Sequence, residues 1–286
     1  PAVFVFNHQC TIDPLLIVAL LRHDIVGIAK WEMRRNPVLG PAFAWADVVF
    51  VDRFDHERAL EQLSPARDAL ARGLSVAIAP EGTRSRDAAL GTFKKGAFHL
   101  AMSAGVPVVL SGDGLAETVA VARLANDAHE RGVPVVLGAG FTPGLSCVLA
   151  AHACSWFDQV DEIHVAKAGA GGPACAVVHH RALSRLSYDW QGGDWRRRSG
   201  GSGRELCWFP EPVGPMDCYR AALPDPVLLH HAFPEVGRIT ARMAASRIDR
   251  LTAPLPMLSP THVEGGVGAV RVEVRGRRGT TQDVCV

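Results

Sequence analysis

The feature that most constrains this chain is the alternation, over its first 110 residues, of short apolar runs with helix-like stretches. The runs Val3 to Phe6, Val48 to Val51, Ser75 to Ala79 and Val106 to Leu110 alternate with helical segments at Leu15 to Leu21, Glu57 to Arg72 and Phe98 to Ala104. Strands apolar along their whole length need cover on both faces, and crossover helices supply it while keeping the strands parallel. The expectation is an α/β fold: a parallel or mixed sheet with helices on both faces. Asp13 followed by Pro14 fits a helix start, with Asp as N-cap and Pro at the first helical position, where a missing N–H costs nothing.

A further unit of this kind follows, a helix from about Leu115 to Arg131 leading into a strand at Val133 to Leu137. The hexapeptide Gly-Val-Pro-Val-Val-Leu occurs at 105–110 and again at 132–137. It reads either as two buried strands, each entered through an edge proline, or as a seam where two genes were joined. After Gly144 the text changes to Gly/Pro/Arg-rich stretches such as Arg196 to Arg204 and Pro210 to Pro215, which predict an α+β domain with long loops. With 286 residues, two domains are expected, 1–112 and 113–286.

Composition narrows the function classes. With 48% hydrophobic and 21% charged residues and a net charge of +1, the chain is globular, and any affinity for phosphate has to come from local clusters. No aromatic platform supports nucleic-acid binding, and Arg196 to Arg198 read as a solvated loop. The seven cysteines are odd in number, scattered and without a C-x-x-C pair, which speaks against a disulfide framework or a zinc site and for a reducing compartment. Cys10 reads as a small filler. No apolar run approaches the roughly 20 residues that span a bilayer, and the start at Pro1 directly in a strand-like run predicts further residues upstream.

Chemistry is carried by polar clusters that follow the strands. Asn7, His8 and Asp13 follow the first run, Asp52 and Arg53 end the second, and Glu81, Gly82, Thr83 and Arg84 follow the third. In a parallel sheet these positions share one edge, the crevice where open α/β sheets place their ligands. His8 alone among them can accept a proton near neutrality, and Asp13 could hold its ring and stabilise the imidazolium. No Gly-x-Ser-x-Gly elbow supplies a serine nucleophile, so the base is expected to activate a substrate hydroxyl. Arg53 and Arg84, with backbone N–H groups around Gly82, could form a phosphate clamp. Taken singly, Asp13 is a helix cap, Arg53 and Arg84 are surface arginines and Glu81 a turn residue; the ordered set is what points to a site.

Asn-His-Gln-Cys-Thr-Ile-Asp at 7–13, Phe-Val-Asp-Arg at 50–53 and Pro-Glu-Gly-Thr-Arg-Ser at 80–85 resemble, in order and spacing, the first three motifs of the PlsC-type glycerolipid acyltransferases. Ala29-Lys30 and Phe93-Lys94-Lys95-Gly96 add to the resemblance; Leu110 departs from it, standing where the fourth motif carries a second proline. The resemblance implies His8 as general base, Asp13 as its partner, and Arg53, Glu81, Gly82, Thr83 and Arg84 as the acceptor-phosphate site. It further implies acyl-CoA or acyl carrier protein as co-substrate, lysophosphatidate as acceptor and no other cofactor or metal. The expected place is the cytoplasm, with peripheral contact with the inner face of the membrane as a variant.

From about Asp113 onward the text is similar instead to the latter part of saccharopine dehydrogenase-like reductases, through Gly138-Ala-Gly-Phe-Thr-Pro-Gly144 and Asp161-Glu-Ile-His-Val-Ala-Lys167. Gly138 to Gly144 is one residue too long for Gly-x-Gly-x-x-Gly and reads as a turn that lets helix and strand pack closely. The pairs His179–His180 and His230–His231 lack metal-ligand spacing and read as core or exposed histidines. A lysophosphatidate acyltransferase is the expectation. The alternatives are an NAD(P)-dependent reductase and an inactive composite of two truncated enzymes.

Overall fold

The computed structural model describes residues 1–6, 24–37, 39–45, 47–51, 63–82, 94–110, 114–169, 173–255 and 267–286. The chain divides into two compact units that interleave: Pro1–Ser111 with Arg123–Leu137, and Gly112–Ala122 with Gly138–Val286. These units do not follow a single cut between residues 112 and 113, because the chain returns to the first unit after its first visit to the second.

The first unit is built on a parallel sheet of β1 (Val3–Val5), β2 (Ile25–Lys30), β3 (Val49–Val51), β4 (Ser75–Ile78), β5 (Val108–Leu110) and β6 (Val135–Val136). Among the described residues their order is β3-β2-β4-β1-β5-β6, and every pairing is parallel. Helices α1 (Leu39–Trp45), α2 (Ser64–Ala71) and α3 (Gly96–Ala104) lie between the strands in sequence, as the alternation requires. In α3 the buried positions are Ala97, Leu100 and Ala101, spaced to give one apolar stripe. Ala66, Ala69 and Leu70 do the same in α2, which opens with Pro65 in its first turn. These small residues pack with Val3, Val5, Val26, Val76 and Val108 in one core cluster. Gly105 ends α3 in the left-handed conformation (φ 62°), and its N–H bonds back to Ala101 and Met102 carbonyls.

Three expectations need correction here. Ile25–Lys30, which the apolar runs did not single out, is an inner strand; Gly27 breaks the run, yet its backbone still pairs with β4. The helix expected from Leu115 to Arg131 is two helices, α4 (Leu115–Ala122) in the second unit and α5 (Ala125–Glu130) in the first. The second copy of the hexapeptide forms no buried strand: β6 is the sheet's edge, with Val135 39% and Val136 46% exposed, whereas Val108 of the first copy is 3% exposed. The expected helix at Leu15 to Leu21 lies outside the described residues.

The second unit carries a mixed sheet. Its strands are β7 (Gln159–Ala168), β8 (Leu186–Gln191), β9 (Asp194–Ser199), β10 (Glu205–Trp208), β11 (Pro215–Arg220), β12 (Arg238–Ala244), β13 (Ala269–Arg278) and β14 (Thr281–Cys285). The main path runs β10-β11-β12-β7-β13-β14, with the β8–β9 hairpin joined to β12. Among the described strands of this sheet, β7 and β12 pair in parallel and the other pairings are antiparallel. Helices α6 (Leu145–Cys154), α7 (Pro173–Ala182), α8 (Asp225–Ala232) and α9 (Arg247–Thr252) complete the unit. One core cluster gathers Ile163, Val165, Leu229, Ile239, Val272 and Val274. Arg196 to Arg198 belong to β9 and not to a solvated loop, and Arg197 stacks over the Tyr188 ring on the paired strand. The α/β class expected from the sequence is the class observed.

Candidate active site

All strands of the first sheet run the same way, so their carboxyl ends share one edge. Val5 of β1 pairs with Ile78 of β4, and the Phe6 N–H donates to the Ile78 carbonyl at 3.4 Å. The chain therefore leaves β1 directly beside the strand that leads into Glu81 and Gly82. Val51, the last residue of β3, pairs with Lys30, the last of β2, and β2 in turn pairs with β4. The end of β3 thus reaches the same edge two strands from β4, at about 10 Å for two strand spacings.

The described part of the site is the turn after β4. Gly82 has φ +72°, a left-handed conformation that a side chain would strain, and its N–H bonds to the Ala79 carbonyl at 3.1 Å. Glu81 is buried at this sheet edge, 5% exposed. The chain comes back to the same turn at Lys94, whose N–H donates to the Pro80 carbonyl at 2.8 Å. Lys94 lays its side chain over Gly82, with Cε and Nζ each 3.2 Å from where a Cβ on that glycine would stand. A glycine turn, a buried carboxylate and an ammonium group thus meet at the end of β4. Such a set can draw an anion to the edge through the lysine ammonium, with the turn holding that side chain in place.

Of the residues predicted from the sequence, Glu81 and Gly82 are placed together at this edge. His8, Asp13, Arg53, Thr83 and Arg84 lie outside the described residues, as does Cys10. Two lysines were not given a site role from the sequence: Lys30 at the exposed end of β2, and Lys94 over Gly82. Both stood in the text of the family resemblance, and a lysine at the end of a strand in a parallel sheet is the signal that would have drawn attention to the first.

In the second unit the Gly138–Gly144 turn is closed on itself. A Cβ on Gly144 would stand 2.0 Å from the Gly140 carbonyl oxygen, and the first amides of α6, Leu145 and Ser146, donate to the Gly140 and Phe141 carbonyls at 3.0 and 3.3 Å. Those donors are occupied by the loop itself. The histidine pairs are packing groups. His180 bonds Thr252 Oγ1 at 2.9 Å, His179 accepts from Lys167 Nζ at 2.5 Å, and His230 stacks on Trp190 at 3.8 Å. No group of three metal-ligating side chains occurs among the described residues. Among them, too, no helix is long and apolar enough to cross a membrane.

The family model described as Acyltransferase matches residues 1–109. The chain is 37% identical over 109 residues to a 1-acyl-sn-glycerol-3-phosphate acyltransferase of Limnanthes douglasii, covering 38% of this chain and 39% of that protein. It is 38% identical over 117 residues to a chloroplastic enzyme of the same name from Arabidopsis thaliana, covering 40% and 33%, and 39% identical over 110 residues to the alpha form of Ovis aries, covering 38% of each. The chain thus spans 39% or less of the length of these relatives. Among solved structures, the apo saccharopine dehydrogenase (L-Glu forming) of Saccharomyces cerevisiae superposes with a TM-score of 0.52 at 14% identity, over 91% of this chain and 59% of that one. That likeness is one of fold. The Acyltransferase family is matched by residues 1–109, the stretch that runs from β1 into β5 and holds the Glu81–Gly82 turn.

Proposed function

We propose that this chain transfers a fatty acyl group from acyl-CoA or acyl carrier protein to the free hydroxyl of 1-acylglycerol 3-phosphate. The observation that carries the reading is the family match over residues 1–109, which includes the buried Glu81 and the left-handed Gly82 at the carboxyl edge beside β1. His8 takes the hydroxyl proton, with Asp13 orienting the ring and stabilising the imidazolium. The acceptor oxygen adds to the thioester carbonyl, the C–S bond breaks, and the departing thiolate recovers the proton from the imidazolium. Arg53 and Arg84, with Glu81, Gly82 and Thr83, hold the acceptor phosphate, and Lys94 lies close enough to the glycine turn to share that charge. The working place is the cytoplasmic side, with peripheral docking on the inner face of the membrane.

The test is thiol release from acyl-CoA in the presence of lysophosphatidate. His8→Ala should reduce the rate by about 10²-fold or more, the usual contribution of a positioned base. An unchanged rate would sink the mechanism. Arg53→Ala should instead raise the acceptor KM by about tenfold or more, as expected when a charge-assisted contact worth about 1.5–3 kcal/mol is lost. A normal acceptor KM in that variant removes Arg53 from the site.

A further inference from the structure

We propose that Cys207 and Cys218 form a reversible dithiol–disulfide couple, a modification site that tethers the edge strand β10 to β11 in the second unit. The two residues stand on neighbouring antiparallel strands. Cys207 is opposite Met216 and Cys218 is opposite Glu205, which makes the cysteines diagonal neighbours on one face of the sheet. They share a small core cluster with Ala166, Ala168 and Phe209, and each is a free thiol. Each thiol is the leading influence on the acidity of the other across the strand pair.

Chemistry separates their roles. The influence of Cys218 holds the Cys207 thiol below its ordinary range despite burial, and Arg271 and Arg242 act in the same direction. The influence of Cys207, together with burial, pushes Cys218 up, so it remains protonated. Cys207 is therefore the attacking thiolate and Cys218 the resolving thiol. Both are buried, but β10 has four residues and, among the described residues, pairs with β11 alone, so local opening of this edge is the route by which a small oxidant enters. With a small-molecule disulfide such as oxidised glutathione, the Cys207 thiolate forms a mixed disulfide and releases one glutathione thiolate. Cys218, giving up its proton to that thiolate, then attacks the Cys207 sulfur and releases the second. The net change is two protein thiols and one oxidised glutathione converted to one protein disulfide and two reduced glutathiones. A link between diagonal positions draws the strands out of register, which favours ready reduction and hence reversibility.

The experiment equilibrates the full chain in glutathione buffers of increasing oxidised fraction, quenches with acid, blocks remaining thiols and maps the peptides by mass. The expected result is a Cys207–Cys218 disulfide with a loss of two hydrogens, a fall of two in the number of free thiols, and full reversal in excess reduced glutathione. Cys218→Ser should trap Cys207 as a glutathione adduct, while Cys207→Ser should leave Cys218 unmodified. The wild-type map decides the matter even where a serine variant fails to fold. The proposal is overturned if the pair stays reduced while other cysteines oxidise, if wild-type Cys207 stops at the mixed disulfide, or if the link forms between Cys154 and Cys285, which also lie near one another.

Discussion

At the scale of single residues, Gly82 is the most constrained position of the described site. Its φ of +72° and the Lys94 side chain above it both oppose a Cβ. Gly82→Ala should cost about 1 kcal/mol of stability, the typical penalty for a side chain in the left-handed region, and should raise the acceptor KM by displacing the lysine. A melting temperature and a KM both equal to wild type would show that the turn tolerates the change and does not hold the acceptor. The sequence drew attention to Glu81 and Gly82 only as part of an ordered set of motifs, and the structure places the two in the turn that follows β4. The sequence left Lys94 illegible, because its role depends on the chain returning from residue 83 to 94 to the same turn. Thr142–Gly144 illustrates the converse case, since the length of the Gly138–Gly144 segment already argued for a packing turn, and the close approach of Gly144 to Gly140 supplies the physical reason.

Between elements, position within a sheet decides what a sequence alone does not. Gly-Val-Pro-Val-Val-Leu makes an inner strand in β5 and an exposed edge in β6, because burial is conferred by neighbours and not by the six residues themselves. The strongly polar β9 was unreadable as a strand for a related reason: a hairpin edge can carry exposed arginines while its backbone pairs fully. The second sheet shows the same principle through an ion-pair lattice across β7, β12 and β13. Glu273 accepts from Arg271 Nη2 at 2.5 Å and Arg275 Nε at 2.7 Å, and Glu162 faces His164, Arg238 and Arg275. Burial works against the Glu273 carboxylate, but the hydrogen bonds from Arg275 and Arg271 hold it below the ordinary glutamate range. Burial likewise lowers His164, which bonds Thr240 Oγ1 at 2.8 Å and stays neutral. The folded state therefore binds fewer protons than the unfolded one at both sites. Stability should fall first as the pH drops below about 6.5 through His164, and again below about 4.3 through Glu273. Glu273→Gln should destabilise the protein by about 2 kcal/mol at neutral pH, with the gap to wild type closing in the lower window. Urea midpoints measured across pH check this, and a gap independent of pH would mean that Glu273 is not held ionised by its arginines.

Across the whole molecule, the interleaved path of the chain matters more than its division in two. The Val108 N–H donates to the Pro134 carbonyl at 3.0 Å, so the edge of β5 is closed by residues that come after an excursion into the other unit. A fragment ending at Leu110 should expose that edge and exchange the Val108 amide quickly, whereas one ending at Leu137 should protect it; equal rates would mean that β6 does not close the sheet. The shift in text near residue 113 was visible in the sequence, but the return to the first sheet was not, because pairing of β6 with β5 is a long-range contact with no local signature. The same path has a bearing on synthesis. As the nascent polypeptide leaves the ribosome, the parallel sheet stays unfinished until residue 137 is free of the exit tunnel. By then α4 has already emerged, and it must wait unaccompanied for most of its own unit to be translated, which makes this short helix the point where a chaperone or an early misfolding event would first take hold.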